Sequence, residues 1–325
     1  MPGKKIFEKV GITCAAGERL EALLMMPAHG DPKRLVYIVP LMGSGAVQQI
    51  LRFKNFSKRG SAILSFEYRG HGKSSGTFSL EKSLEDSKTV LQWAQEYAAS
   101  KNIPLHVHAT CYGNMAMLSW FKEGRHPRGV KTLSAVSGIL ELNHVIKLED
   151  FLSYYARCNG TIFPSAAEFI TSVEQGTIDI DGGHYRNALR DYLQGLFPEL
   201  HVTRDAFEEL EYRRVDMREL VKQFYRLKPS AGVEVPDDIP CLFFYGVNDG
   251  LLGLSRPEGR RTYESRLRAA VPRAEIRGVA VDHFGRGEDH DRIINQLCDY
   301  FEENDAGRAA PAGVNAPGNP HLVHS

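Results

Sequence analysis

The stretch Leu105–Leu118 reads Leu-His-Val-His-Ala-Thr-Cys-Tyr-Gly-Asn-Met-Ala-Met-Leu, and it constrains the chain more than any other. An apolar, β-prone run (Leu105, Val107, Ala109) breaks at Thr110-Cys111-Tyr112-Gly113, and a helix-like apolar pattern (Met115, Met117, Leu118) follows at once. Strand, one residue, helix is the layout of a nucleophile elbow. So tight a turn needs small residues two before and two after its centre, and Ala109 and Gly113 stand there. The central residue, Cys111, falls at a helix N-terminus, where the macrodipole and free N–H groups favour negative charge, the nucleophilic form of a thiol. Ala109 replaces the first glycine of the usual Gly-x-Ser-x-Gly box. On this stretch alone, a buried structural cysteine ending a core strand is an equal alternative.

The organisation around this stretch is that of alternating strands and helices. Lys5–Ile12 and Arg19–Met25 read as two early strands, and Leu35–Leu41 is a nearly continuous apolar run, as expected of a strand buried on both faces. Met42-Gly43-Ser44-Gly45 and a helical pattern closed by Gly60 come next. Ala62–Tyr68 is the following strand, ending in the turn-rich segment Arg69–Gly76, and Leu80–Ala99 has the spacing of an amphipathic helix. A strand near Val130–Val136 follows the elbow and its helix. From Ile139 to Pro236 the strand alternation disappears, which predicts an inserted helical cap. Alternation resumes with a strand Cys241–Val247, a helix Tyr263–Val271, a strand Glu275–Val281 and a helix Asp289–Glu303. The expected division is a core over 1–138 and 237–304, a cap over 139–236 and a disordered tail over 305–325, rich in Ala, Gly, Pro and Asn. The fold class this predicts is α/β with a mostly parallel central sheet, whose ligands sit at the carboxyl ends of the strands.

Those carboxyl ends carry the partners that a nucleophilic cysteine needs, a base to take its proton and an acid to orient the base. Asp249 lies in Tyr245-Gly-Val-Asn-Asp249-Gly250, just past the strand 241–247, and His283 lies in Val281-Asp-His283-Phe-Gly285, just past the strand 275–281. Nucleophile, acid, histidine is the chain order of an α/β-hydrolase triad. Taken singly, Asp249 reads more readily as a turn former and His283 as an ordinary surface or packed histidine; the three together, each at a strand end, favour the triad. Two backbone donors would complete an oxyanion hole: the N–H of Tyr112 and the N–H of Ser44, in the loop after the strand 35–41.

Several other patterns carry less. Gly43-Ser44-Gly45 opens like a dinucleotide loop, but Gln48 stands where the third glycine belongs. His106 and His108 share one strand face without a cysteine or carboxylate to complete a metal set, so no metal and no cofactor is expected. Asp282, next to His283, would point to the opposite face. Glu288-Asp-His-Asp291 reads as a helix start. With 40 basic and 40 acidic residues the chain has no net field to draw it to nucleic acid or anionic lipid. No apolar run approaches the ~20 residues of a membrane span, and the polar start predicts no signal peptide. Five scattered cysteines suit a reducing cytoplasm better than a disulfide framework.

At this point the chain resembles the α/β-hydrolase superfamily over residues 20–303. Within it, Met42-Gly43-Ser44, His71-Gly-Lys-Ser-Ser-Gly76, Ala109-Thr-Cys111 and His283-Phe-Gly-Arg-Gly-Glu288 are similar to the corresponding runs of the bacterial luminescence acyltransferases, which are myristoyl-carrier thioesterases. The segment Ile178–His184 also has an echo there. Those enzymes carry serine at the elbow, and in that respect Cys111 instead resembles the cysteine-bearing enzymes that shuttle aminoacyl groups in syringomycin and coronamic acid assembly. The resemblance implies an acyl- or aminoacyltransferase that moves its cargo between thioesters of acyl or peptidyl carrier proteins bearing phosphopantetheine. The alternative is a thioesterase or esterase using the same residues with water as acceptor. Two basic segments, Tyr212–Lys228 and Arg256–Arg277, are candidate docking faces for an acidic carrier, or ordinary solvated surfaces.

Overall fold

The computed structural model describes residues 6–15, 17–41, 45–122, 126–142, 165–177, 231–283, 285 and 287–305, with a few between 219 and 229. The strands are β1 (Phe7–Thr13), β2 (Arg19–Met25), β3 (Arg34–Val39), β4 (Ser61–Phe66), β5 (Leu105–Thr110), β6 (Val130–Val136), β7 (Cys241–Gly246) and β8 (Glu275–Val279). They form one eight-stranded sheet in the order β1-β2-β4-β3-β5-β6-β7-β8. β2 runs antiparallel to both of its neighbours, and every pairing from β4 to β8 is parallel.

The central strands β3, β4, β5 and β7 are buried at every position, which is why Leu35–Leu41 reads as a nearly continuous apolar run. Their side chains divide between two cores. Leu35, Tyr37 and Val39 face the helices α3 (Leu80–Lys101) and α4 (Tyr112–Ser119). Val36 and Ile38 face α1 (Ala46–Arg52), α2 (Asn55–Lys58) and the last helix. Helix α3 starts where Ser79 accepts the Lys82 N–H at 3.3 Å and stops at Asn102 in the left-handed region, φ 53°. Helix α5 (Ala166–Glu174), the described part of the expected cap, buries Phe169, Ile170 and Val173 in the α3–α4 core. The rest of the cap (143–164 and most of 178–230) and the tail from 306 lie outside the described residues.

Two helices follow β7 and β8. α6 spans Pro257–Ala270, beginning six residues before the expected Tyr263, because Pro257 at its first position sets the backbone angle and needs no hydrogen-bond partner. α7 (His290–Asp305) is clamped onto the far edge of the sheet: Asp305 accepts from Arg34 Nε at 2.6 Å and pairs with His106 Nε2 at 2.9 Å. His106 and His108 share a face as expected, and their Nδ1 atoms pair with Thr132 and Ser134 of β6, each at 2.9 Å.

One contact sets how α4 meets the sheet. A Cβ on Gly113 would lie 2.3 Å from the Val39 carbonyl oxygen and 2.9 Å from that of Pro40, so only glycine lets the first turn of α4 rest on the end of β3. Gly113→Ala is therefore expected to destabilise the fold by about 1–3 kcal/mol through overpacking. Urea denaturation checks this; an unchanged midpoint would show that the helix shifts freely.

Candidate active site

The strand β5 delivers Cys111 into a turn that strands and helices do not use. Cys111 has φ 53° and ψ −122°, a conformation costing a non-glycine residue roughly 1–3 kcal/mol. Neighbouring backbone holds it there. Its N–H donates to the Val136 carbonyl at 3.3 Å, and its carbonyl accepts from the N–H groups of Ile139 at 2.9 Å and Asn114 at 3.1 Å. The elbow is thus tied to the end of β6, and the half-buried Cys111 side chain stands at the carboxyl edge of the sheet.

The other described cysteines are buried and behave as core residues. Burial pushes the Cys14 thiol up to about 11, that of Cys298 to about 11 and that of Cys241 to about 12, so all three stay protonated at neutral pH. Among the described cysteines, Cys111 alone is not buried.

Asp249 follows β7 as expected and is fully buried. Its Oδ1 accepts the Leu252 N–H at 2.9 Å, its carbonyl accepts the Leu254 N–H at 2.8 Å, and its Oδ2 accepts from His283 Nδ1 at 2.8 Å. A buried carboxylate needs this degree of pairing to remain charged. His283 sits beyond β8, which ends at Val279, two residues earlier than expected; Val281 then bridges to Gly287 and turns the loop back. Asp249, and not the adjacent Asp282, is the acid on His283 Nδ1.

With Nδ1 engaged by Asp249, Nε2 is the ring nitrogen left to act on the Cys111 side chain, which lies close enough to shift the His283 pKa. Burial lowers the His283 pKa, but the charge on Cys111, the hydrogen bonds to Asp249 and Cys111, and the charge on Asp249 together outweigh it and raise it from 6.5 to about 10. The His283 ring therefore favours its protonated form beside Asp249 and Cys111, as a base that receives a thiol proton must.

Tyr112 begins α4, so its N–H has no acceptor within the helix and lies at the turn, as an oxyanion donor must. Ser44, the other expected donor, lies outside the described residues. Its flanks are Leu41 and Gly45, the latter just ahead of α1.

Two features escaped the reading of the sequence. Tyr263, in α6, is buried and donates its hydroxyl to the Gly138 carbonyl at 2.8 Å, bracing the same β6 loop that holds Cys111. Only its apolar spacing was legible, since its partner lies 125 residues away. The turn Arg69–Gly76 is also built around a buried ion pair. Asp86 accepts from the Arg69 N–H at 2.9 Å and pairs with the Arg69 guanidinium, while Ser74 Oγ donates to the Glu67 carbonyl at 2.6 Å. Burial holds Asp86 up to about 6 despite that pairing.

His283 generates a pH prediction. The folded imidazole keeps its proton to higher pH than the unfolded one, so its contribution to stability is complete below about 6.5 and is lost as pH rises toward about 10. The difference in unfolding free energy between wild type and His283→Gln is expected to shrink over that interval in urea titrations at fixed ionic strength. A difference that grows with pH would contradict the assignment.

No protein-family profile matches the chain, and no curated protein does. Solved structures do. The hypothetical protein PA2218 from Pseudomonas aeruginosa is similar with a TM-score of 0.63 and 16% identity, over 94% of this chain and 96% of that one. A highly thermostable carboxyl esterase from Bacillus coagulans, solved with glycerol, gives 0.63 and 13% over 93% and 100%. The Pyrococcus furiosus esterase Pf2001 gives 0.56 and 15% over 92% and 91%. At such identities the likeness speaks for architecture, and it agrees with the sheet order and the elbow: the chain has the α/β-hydrolase fold.

Proposed function

We propose that the protein is an acyl- or aminoacyltransferase that works through a thioester on Cys111, with acyl or peptidyl carrier proteins as donor and acceptor. The observation that carries this reading is the Asp249–His283 hydrogen bond at 2.8 Å beside Cys111, with the thiol at a strained turn on a helix N-terminus.

The Cys111 sulfur attacks the carbonyl carbon of the donor thioester, and the carbonyl electron pair moves to oxygen, facing the N–H groups of Tyr112 and Ser44. Collapse breaks the donor C–S bond. The departing thiolate takes the proton from His283 Nε2, leaving acyl-Cys111 and a neutral imidazole. In the second half an incoming thiol gives its proton to His283, its sulfur attacks acyl-Cys111, and the Cys111 thiolate leaves beside a restored imidazolium. Asp249 keeps Nδ1–H oriented throughout.

The choice of sulfur favours transfer. Exchanging one thioester for another changes the free energy little, so the acyl group stays activated on Cys111. With water as acceptor the same residues make a thioesterase or esterase, the second reading, to which the esterase structures lend weight. The cap governs which occurs by excluding or admitting water.

For the carrier, the charge near the site is at the start of α6. In a parallel sheet the helix after β7 runs from the carboxyl edge back to the opposite one, so Arg256 and Arg260 stand near Asp249 while Arg266 and Arg268 lie farther away. Arg261, Arg273 and Arg277 pair with Glu258, Asp237 and Glu275. The basic segment from Tyr212 lies mostly outside the described residues.

Intact-protein mass spectrometry with acyl- and aminoacyl-loaded carriers tests the reading. The expected result is an adduct on wild type, absent from Cys111→Ala, discharged faster by a second carrier thiol than by water. Rapid free-acid release without an adduct would favour the hydrolase, and an adduct on Cys111→Ala would refute Cys111 as nucleophile.

A further inference from the structure

One strand beyond β3, on the side away from the elbow strand β5, lies a side chain that the reaction itself does not use. Tyr68 follows β4, and its side chain is buried. Its hydroxyl donates to the Pro40 carbonyl at 2.9 Å. Pro40 is itself buried, just past the end of β3. The same ring meets Tyr112 edge-on, with centroids 5.9 Å apart and planes at 80°. It is wedged from the other sides by Phe66 at 4.8 Å and Phe78 at 6.1 Å, so it has little room to tilt.

Tyr112 is fixed from its far end too. Its hydroxyl shares a short hydrogen bond with Ser83 Oγ, and Ser83 in turn donates to the Leu80 carbonyl at 2.6 Å in the first turn of α3. Gly113, next in the chain, rests on the carbonyls of Val39 and Pro40. Pro40 and Tyr112 are therefore locked together by three contacts: Tyr68 hydroxyl to Pro40, Tyr68 ring to Tyr112, and Gly113 on Val39 and Pro40. Burial, ahead of nearby Tyr112 and Tyr37, pushes the Tyr68 phenol far above its ordinary range, so the hydroxyl keeps the proton it donates.

We infer that Tyr68 is a positioning residue for the oxyanion donor, the Tyr112 N–H, fixing the start of α4 against the end of β3 at Pro40. It touches neither substrate nor thiol. It acts through Pro40 on one side and Tyr112 on the other. This inference rests on the proposed role of Cys111 and adds a residue to it.

The oxyanion hole is needed for acylation by a carbonyl substrate but not for alkylation of a thiol by iodoacetamide, which develops no oxyanion. That difference separates positioning from mere support of the fold. Tyr68→Phe keeps the ring and loses only the hydroxyl. With p-nitrophenyl butyrate the expected burst rate constant falls about tenfold, less than the roughly 10²–10³ lost when an oxyanion donor is removed outright. The half-saturating concentration and the iodoacetamide labelling rate of Cys111 are expected to stay within about twofold of wild type. Ser83→Ala, which frees the Tyr112 hydroxyl, is expected to shift the burst in the same direction and serves if Tyr68→Phe does not fold. An unchanged burst in both variants, or burst and labelling falling together, would overturn the inference. Absence of a Cys111-dependent burst in wild type would overturn the nucleophile assignment and the inference with it.

Discussion

The backbone of Cys111 is the constraint on which the rest of the site depends. A left-handed cysteine is unfavourable by itself, and it persists because the neighbouring strand β6 holds it through the Val136 carbonyl and the loop after β6 holds it through the Ile139 N–H. Gly113 then lets α4 close on β3 without a side chain in the way. The thiol is lifted out of the core and set over a helix N-terminus, while the other described thiols stay buried among apolar neighbours. Loss of any of these supports would let the turn relax toward ordinary angles and return the sulfur to the interior.

Electrostatics takes over where geometry leaves off. His283 is buried deeply enough that desolvation alone would keep it neutral, yet Cys111 and Asp249 beside it reverse the balance. Asp249 is itself fully buried; the Leu252 N–H bonds its carboxylate and the Leu254 N–H its backbone carbonyl, which draws the acid loop tight around it. The site is in this sense assembled from the ends of β5, β7 and β8.

How much of this was legible in the sequence depended on the range of each interaction. β2 and β6 were readable to the residue, because strand periodicity is local. Cys111, Asp249 and His283 were readable because each lies within a few residues past a strand end, and ligands in such a sheet sit at the carboxyl ends of the strands. The start of α6 was misplaced because Tyr263 dominates its apolar pattern while Pro257 sets its first turn. Tyr68 and Tyr263 read as core aromatics, since what distinguishes them is a carbonyl 28 and 125 residues away. The buried pair of Arg69 and Asp86 escaped for the same reason: a helical acid among other helical charges gives no sign of which one turns inward.

The most direct test of the central claim, that Cys111 is the activated thiol and owes its activation to His283 and Asp249, is to treat the folded protein with substoichiometric iodoacetamide at neutral pH and map the label by peptide mass spectrometry. The account predicts label on Cys111 ahead of Cys14, Cys241 and Cys298, with the Cys111 rate falling about tenfold or more in His283→Gln and less steeply in Asp249→Asn. Label spread evenly over the cysteines, or a Cys111 rate indifferent to both substitutions, would contradict it.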